Sequence, residues 1–282
     1  MKKIAVINDL SGFGRCSLTA AIPVMAVMGV QANPLPTSIL TAQTGFDHYY
    51  CEDFTEKMHY FTEEWEKMGK TFDGIYTGFV SNEAQIDEIF HFIRTFKKEN
   101  TFLLVDPVLG DDGVPYDMFS NSLLEKMKAL VEKADIITPN LTELCLLTGT
   151  SYQDMKKIDS GAKVKESIGK LAKKLSGSGE KKIVVTGLHY MEEGTEFIGN
   201  LYIARNTVYL SGYPYVGGSF SGTGDLFASI LAAGIARGKS IPELIRTTGL
   251  FLEKAIADAA KEGIAPEEGC NFEKFLPLLM PV

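Results

Sequence analysis

The chain has 282 residues, 45% hydrophobic and 23% charged, with 28 basic and 36 acidic side chains that leave a formal charge of −8. This composition excludes a disordered, collagenous or coiled-coil protein, and the acidic balance argues against a nucleic-acid partner, which calls for Lys and Arg to neutralise phosphates. No apolar run reaches the ~18 residues of a membrane helix and no cleavable leader follows Met1-Lys2-Lys3, so no membrane partner and a cytoplasmic location are expected.

Short apolar runs alternate with amphipathic segments. A strand over 4–7 leads through a Gly-containing loop to a helix over 15–28, and 30–35 reads as a second strand. A helix over 52–68, a strand over 74–77, a helix over 83–97 and a strand over 101–105 follow. A helix over 121–132 and a short strand over 135–138 come next, and a Gly177-Ser178-Gly179 turn precedes a strand over 182–185. This rhythm predicts an α/β fold with a central, mostly parallel sheet flanked by helices on both faces. Residues 194–210 suggest an antiparallel ribbon at one edge, connected through Ala204-Arg205-Asn206, and the chain from Gly222 onward reads as helical. With no repeat and no long linker, a single domain over 1–282 is expected. The Lys-rich stretch 170–182 reads as a solvated helix face and loop, and Trp65 and the methionines as packing.

Cys16, Cys51, Cys145 and Cys270 lie far apart without metal spacing and read as buried free thiols. The histidines show no metal spacing either. His48 is placed near a pocket mouth, and His59, His91 and His189 at the surface.

In an open parallel sheet, ligands bind beyond the carboxyl ends of the strands. Those positions read Asn8-Asp-Leu-Ser-Gly-Phe-Gly, Thr77-Gly-Phe-Val, Asp106-Pro-Val-Leu-Gly-Asp, Thr138-Pro-Asn-Leu-Thr-Glu and Thr186-Gly. Each alone is ordinary turn chemistry. The sharpest motif is Ser221-Gly-Thr-Gly-Asp225, which opens an apolar helix after Gly217 and Gly218. Gly222 and Gly224 leave backbone N–H groups unobstructed at a helix N-terminus, which suits an oxyanion. Asp225 could accept a proton there, and by spacing alone it is equally an ordinary first-turn aspartate. The segment lacks GxxxxGK[ST] and is not a P-loop.

Gly222-Thr-Gly-Asp225 resembles the second signature of the ribokinase-like superfamily. The Asp106–Asp111 and Thr138–Glu143 runs resemble paired motifs of its vitamin-kinase branch, and Thr44-Gly-Phe with Gly78-Phe79 resembles pyridoxal kinases. The resemblance runs in order from the first strand to at least Ile235. It implies a ribokinase-like fold, without the small β lid and Gly-Gly hinge of sugar kinases. The implied activity is ATP-dependent phosphorylation of the hydroxymethyl group of a B6 vitamer. By this resemblance Asp225 is the base and Gly222, Thr223 and Gly224 form an anion hole. Asp9, Ser11, Thr44, Gly78 and Phe79 meet the acceptor, with Phe79 beside the flat ring. Asp111, Asn140, Thr186 and Gly187 meet ATP, while Glu143, Asp106 and Thr138 orient Mg²⁺, with K⁺ as a candidate second cation. A homodimer is implied by the same resemblance.

Several pyridoxal kinases carry serine where Asp9 aligns, and a carboxylate there should favour pyridoxamine or pyridoxine over pyridoxal. The bland reading of Glu143 is a helix-surface carboxylate after an Asn140 N-cap, and that of Phe79 a core residue. The rival function is hydroxymethylpyrimidine kinase, which commonly has cysteine where this chain has Asp225. A non-catalytic vitamin-binding protein ranks lower.

Overall fold

The structure is a computed structural model, and it describes residues 1–177, 180–205, 207–215 and 217–281. The elements run β1 (Lys2–Phe13), α1 (Ser17–Val27), β2 (Val30–Ala42), β3 (Cys51–Asp53), α2 (Thr55–Lys67), β4 (Gly74–Thr77), α3 (Glu83–Phe96) and β5 (Phe102–Val105). Next come β6 (Gly110–Asp111), β7 (Val114–Pro115), α4 (Asn121–Lys133), β8 (Ile136–Ile137), α5 (Leu141–Thr148) and the short turns α6 (Tyr152–Met155), α7 (Gly161–Lys163) and α8 (Gly169–Ala172). The chain ends with β9 (Lys182–Glu192), β10 (Thr195–Ala204), β11 (Thr207–Pro214), α9 (Thr223–Ala236) and α10 (Ile241–Glu262).

Two compact units result, Met1–Leu103 with Val216–Val282, and Leu104–Tyr215. In the first, β1 pairs in parallel with β2 and β4, and β3 is antiparallel to β2. In the second, β8 pairs in parallel with β5 and β9, and β9, β10 and β11 form the antiparallel edge. This is the mostly parallel, helix-flanked sheet that the alternation of patterns implies. Among the described residues no helix is long and apolar enough to cross a membrane.

Burial explains the patterns. Ile4, Ala5, Val6 and Ile7 are all inaccessible to solvent, so both faces of β1 are covered, which is why this strand is an unbroken apolar run. α9 is apolar nearly all round because it too is enclosed, from Leu226 to Gly234. Trp65 of α2 meets Phe72 and Phe92 at 5.5 and 6.0 Å between ring centroids, and Phe92 meets Phe96 at 4.6 Å. These rings lock α2 and α3 together, as the packing role of Trp65 requires.

Several local expectations are corrected. β1 does not give way to a loop at Asn8 but continues to Phe13, because β2 runs beside it as far as Ala42. β2 passes through Pro34 and Pro36, tolerable because β3 joins β2 only at Ser38–Leu40, beyond both prolines. Thr186 and Gly187 fall inside β9 rather than after it, since β10 pairs along its length. Cys51 is exposed, unlike the other three cysteines. Lys181 is buried at the end of its solvated stretch: Nζ donates to the Val131 carbonyl at 2.6 Å, and burial lowers its pKa. Ser178 and Gly179 of the expected turn, and Asn206 of the ribbon's connection, lie outside the described residues.

Candidate active site

In the first unit the polar residues gather where β1 loses its regular pairing. The register with β2 shifts between Asn8 and Leu10, and a bulge of this kind re-aims side chains. Asn8 is completely buried. Its Nδ2 donates to Asp225 Oδ1 at 3.0 Å, while its Oδ1 accepts from the backbone N–H groups of Asp9 at 3.0 Å and Phe79 at 2.8 Å. Gly78 makes room for this amide: a Cβ there would lie 2.5 Å from Asn8 Nδ2 and 2.6 Å from its Cγ. Asp9 is 5% exposed and accepts from Ser11 Oγ at 2.8 Å and from the Ser17 hydroxyl. Burial pushes the Asp9 pKa up, and these donors oppose the shift.

Asp225 lies in the first turn of α9. Gly222 precedes that helix with φ 80°, and any Cβ there would collide with the Arg15 carbonyl oxygen. No side chain caps this helix start, and the space beside exposed Gly224 is open. The dipole and first-turn N–H groups therefore remain for a ligand or solvent. The Thr223 hydroxyl donates to the Phe220 carbonyl at 3.1 Å.

Burial pushes the Asp225 pKa up to about 6, and the charge of Asp9 adds to this. The Ser17 N–H, the Asn8 amide and the Tyr76 hydroxyl favour the ionised form. Such a group is ionised at neutral pH yet basic enough to take a proton from an alcohol. Burial, then the charges of Asp225 and Asp9, push the Cys16 thiol well up, so it is no nucleophile at neutral pH.

In the second unit the acidic residues follow β5 and β8. The Thr138 hydroxyl donates to Asp106 Oδ1 at 2.9 Å, and both residues are buried. Asn140 caps α5: its Oδ1 accepts from Glu143 N–H at 2.9 Å, and Glu143 Oε2 accepts from Asn140 N–H at 2.8 Å. Glu143 Oε1 accepts from Leu109 N–H at 3.1 Å. At 4% exposure Glu143 is no surface carboxylate, and burial followed by the Asp106 charge raises its pKa well above the carboxylate range. Asn140 Nδ2 donates to the Gly110 carbonyl at 2.8 Å and reaches Asp111 Oδ1 at 3.5 Å. Thr186 bridges to Asn140, its N–H donating to the Pro139 carbonyl at 3.0 Å. Exposed Gly187 donates its N–H to Asn200 Oδ1 at 3.3 Å. Among the described residues no group of three or more His, Cys, Asp or Glu side chains could hold a metal. Two buried carboxylates and an amide suit Mg²⁺, which takes few protein oxygens and keeps several waters.

The residues singled out in each unit thus come together, with one outlier. Thr44 is exposed, and its neighbour Gln43 ties that loop down, donating from Nε2 to the Glu267 carbonyl at 2.9 Å and Ser221 Oγ at 3.3 Å. Phe79 is half-buried rather than a core residue, its carbonyl accepting from Thr37 Oγ1 at 2.9 Å. Sequence reasoning missed Asn8, Gln43, Tyr76 and Ser17. Asn8 lies in the run that ends the first strand, but no spacing rule marks its amide. Ser17 has φ 48°, a left-handed backbone that no residue pattern announces.

A family model described as phosphomethylpyrimidine kinase matches residues 12–268. Two crystal forms of a candidate phosphomethylpyrimidine kinase from Bacteroides thetaiotaomicron, one with pyridoxal, are 34% identical to this chain. They superpose with TM-scores of 0.90 and 0.89 over 100% of it and 95% and 96% of theirs. Pyridoxal kinase from Lactobacillus plantarum is 26% identical with TM-score 0.87, covering 99% of this chain and 96% of that one. Two curated Schizosaccharomyces pombe relatives, candidate pyridoxal kinases, are 29% and 31% identical over 61% and 58% of this chain. The aligned stretches cover 53% and 47% of those relatives, so the chain spans about half their length.

Proposed function

We propose, from the premise that the chain belongs to the phosphomethylpyrimidine kinase family, that it transfers the γ-phosphoryl group of ATP to the hydroxymethyl arm of a B6 vitamer. The observation that carries this reading is Asp225: a half-buried carboxyl at an uncapped helix start, hydrogen-bonded by Asn8, with a pKa of about 6. Asp225 takes the acceptor's hydroxyl proton. The N–H groups along Gly222, Thr223 and Gly224 receive charge as the phosphoryl group moves, for phosphoryl transfer depends on alignment and electrostatics rather than covalent help. Phe79 flanks the ring, and Asp9, Ser11 and Thr44 meet its polar substituents. Asp111, Asn140, Thr186 and Gly187 serve the nucleotide. Glu143 and Asp106, with Thr138, would hold Mg²⁺ through water, and the ion would neutralise phosphate charge. Residues 1–282 act as one functional domain, as a cytoplasmic homodimer.

Pyridoxal in the 34%-identical Bacteroides structure supports this acceptor class. A second reading, hydroxymethylpyrimidine kinase, is favoured by the description of the matching family and shares the hydroxymethyl arm on a flat ring.

ATP consumption with pyridoxal, pyridoxamine, pyridoxine and hydroxymethylpyrimidine, each with and without K⁺, tests both. Turnover of B6 vitamers is expected, with pyridoxamine or pyridoxine preferred because of Asp9. Turnover confined to hydroxymethylpyrimidine establishes the second reading. Binding of vitamers without turnover leaves a vitamin-binding protein.

A further inference from the structure

Asn8 is completely buried, and all three of its hydrogen bonds have an unambiguous direction. Its oxygen accepts from two backbone N–H groups, those of Asp9 and Phe79, which have nothing but a proton to offer. Flipping the amide would set its NH₂ against both, so Nδ2 must point at Asp225. Gly78 supports the same placement, since a methyl group there would occupy the amide's position.

We infer that Asn8 is a positioning residue for Asp225, pinning the plane of the carboxyl and holding it ionised at neutral pH while joining it to the backbone of Phe79. This rests on the reading of Asp225 as the base. Several groups face that carboxyl: Asn8 and Asp9 from β1, Cys16 and Ser17 at the start of α1, and Tyr76 from β4. Burial and the Asp9 charge favour the proton. The Asn8 amide favours its loss, because a donor to the charged form stabilises that form. A carboxylate has about four acceptor positions. The bonds from Asn8 and Ser17 thus leave room for the hydroxyl of an incoming acceptor.

Asn8→Asp tests the inference. It keeps an oxygen for the two backbone N–H groups, removes the donor and sets a second carboxylate beside Asp225. The acid limb of kcat/KM should move up by a pH unit or more. At pH 7 kcat should fall at least about tenfold, with acceptor KM changed less than about threefold. A merely structural role would lower activity equally at every pH without moving the limb, and an unmoved limb with kcat near the parent value overturns the inference. If circular dichroism shows that Asn8→Asp does not fold, Gly78→Ala replaces it. The added methyl displaces the amide without adding charge, and an unmoved limb and kcat would again refute the role. Asp225→Asn separates the two claims. Near-normal turnover there removes the base itself, whereas a dead Asp225→Asn beside a parent-like Asn8→Asp removes only the role of Asn8.

Discussion

Both units gather acidic side chains, in β1 and the first turn of α9 in one and after β5 and β8 in the other, and the two clusters use them differently. In the second unit each oxygen of Glu143 accepts a backbone N–H, from Asn140 and from Leu109, so the carboxylate is fixed by the cap of α5 and the loop that follows Asp106. In the first unit Asp225 stands ahead of open space at Gly224, steadied by the Asn8 side chain. Burial raises both pKa values. Burial therefore does not define a base. What differs is how far backbone donors have already committed the carboxylate, and whether an outside group can reach it.

The sharpest way to break this contrast is Asp225→Asn, expected to lower kcat by roughly 10²–10⁴-fold with nucleotide binding retained. Stability follows the opposite sign from activity. The folded pKa of about 6 exceeds the ordinary 3.8 of an unfolded aspartate. The group therefore costs stability above pH 6, by about 3 kcal/mol, and the cost fades as pH falls toward 3.8. Thermal melts of the variant should lose that part of the decline between pH 4 and 7, and an unchanged pH slope contradicts it.

Phe92→Ala provides a control without chemistry. Removing a fully packed ring between Trp65 and Phe96 should cost about 3–5 kcal/mol by urea unfolding. The acid limb of kcat/KM should stay where it is; a shifted limb would mean that packing, not local hydrogen bonding, sets the base. Glu143→Gln should come next, at about 1–3 kcal/mol, because its NH₂ must face one of two backbone N–H donors. No loss on denaturation would show that Glu143 is not held as described. Smallest is Ser17→Ala, which removes a hydroxyl from Asp9 but keeps the N–H that serves Asp225. Acceptor KM should rise a few fold with the acid limb nearly unmoved, and the reverse pattern would reassign Ser17 to the base.

Much of this molecule is legible in one dimension where the physics is local. The apolar run 4–7, the Asn140–Glu143 capping box and the Gly222–Asp225 motif can be read from residue type over a few positions. The family resemblance named the candidate residues for the same reason, because its motifs are short. Tertiary structure alone decided the contacts made across long stretches of chain. Asn8 meets Asp225 over 217 residues of sequence, and Gln43 meets Glu267 over 224. The left-handed turn at Ser17 and the bulge at Asn8–Leu10 likewise arise from packing. A sequence lists the donors and acceptors, but a carboxylate's pKa is set by which of them the fold brings within about 3 Å and which it buries together.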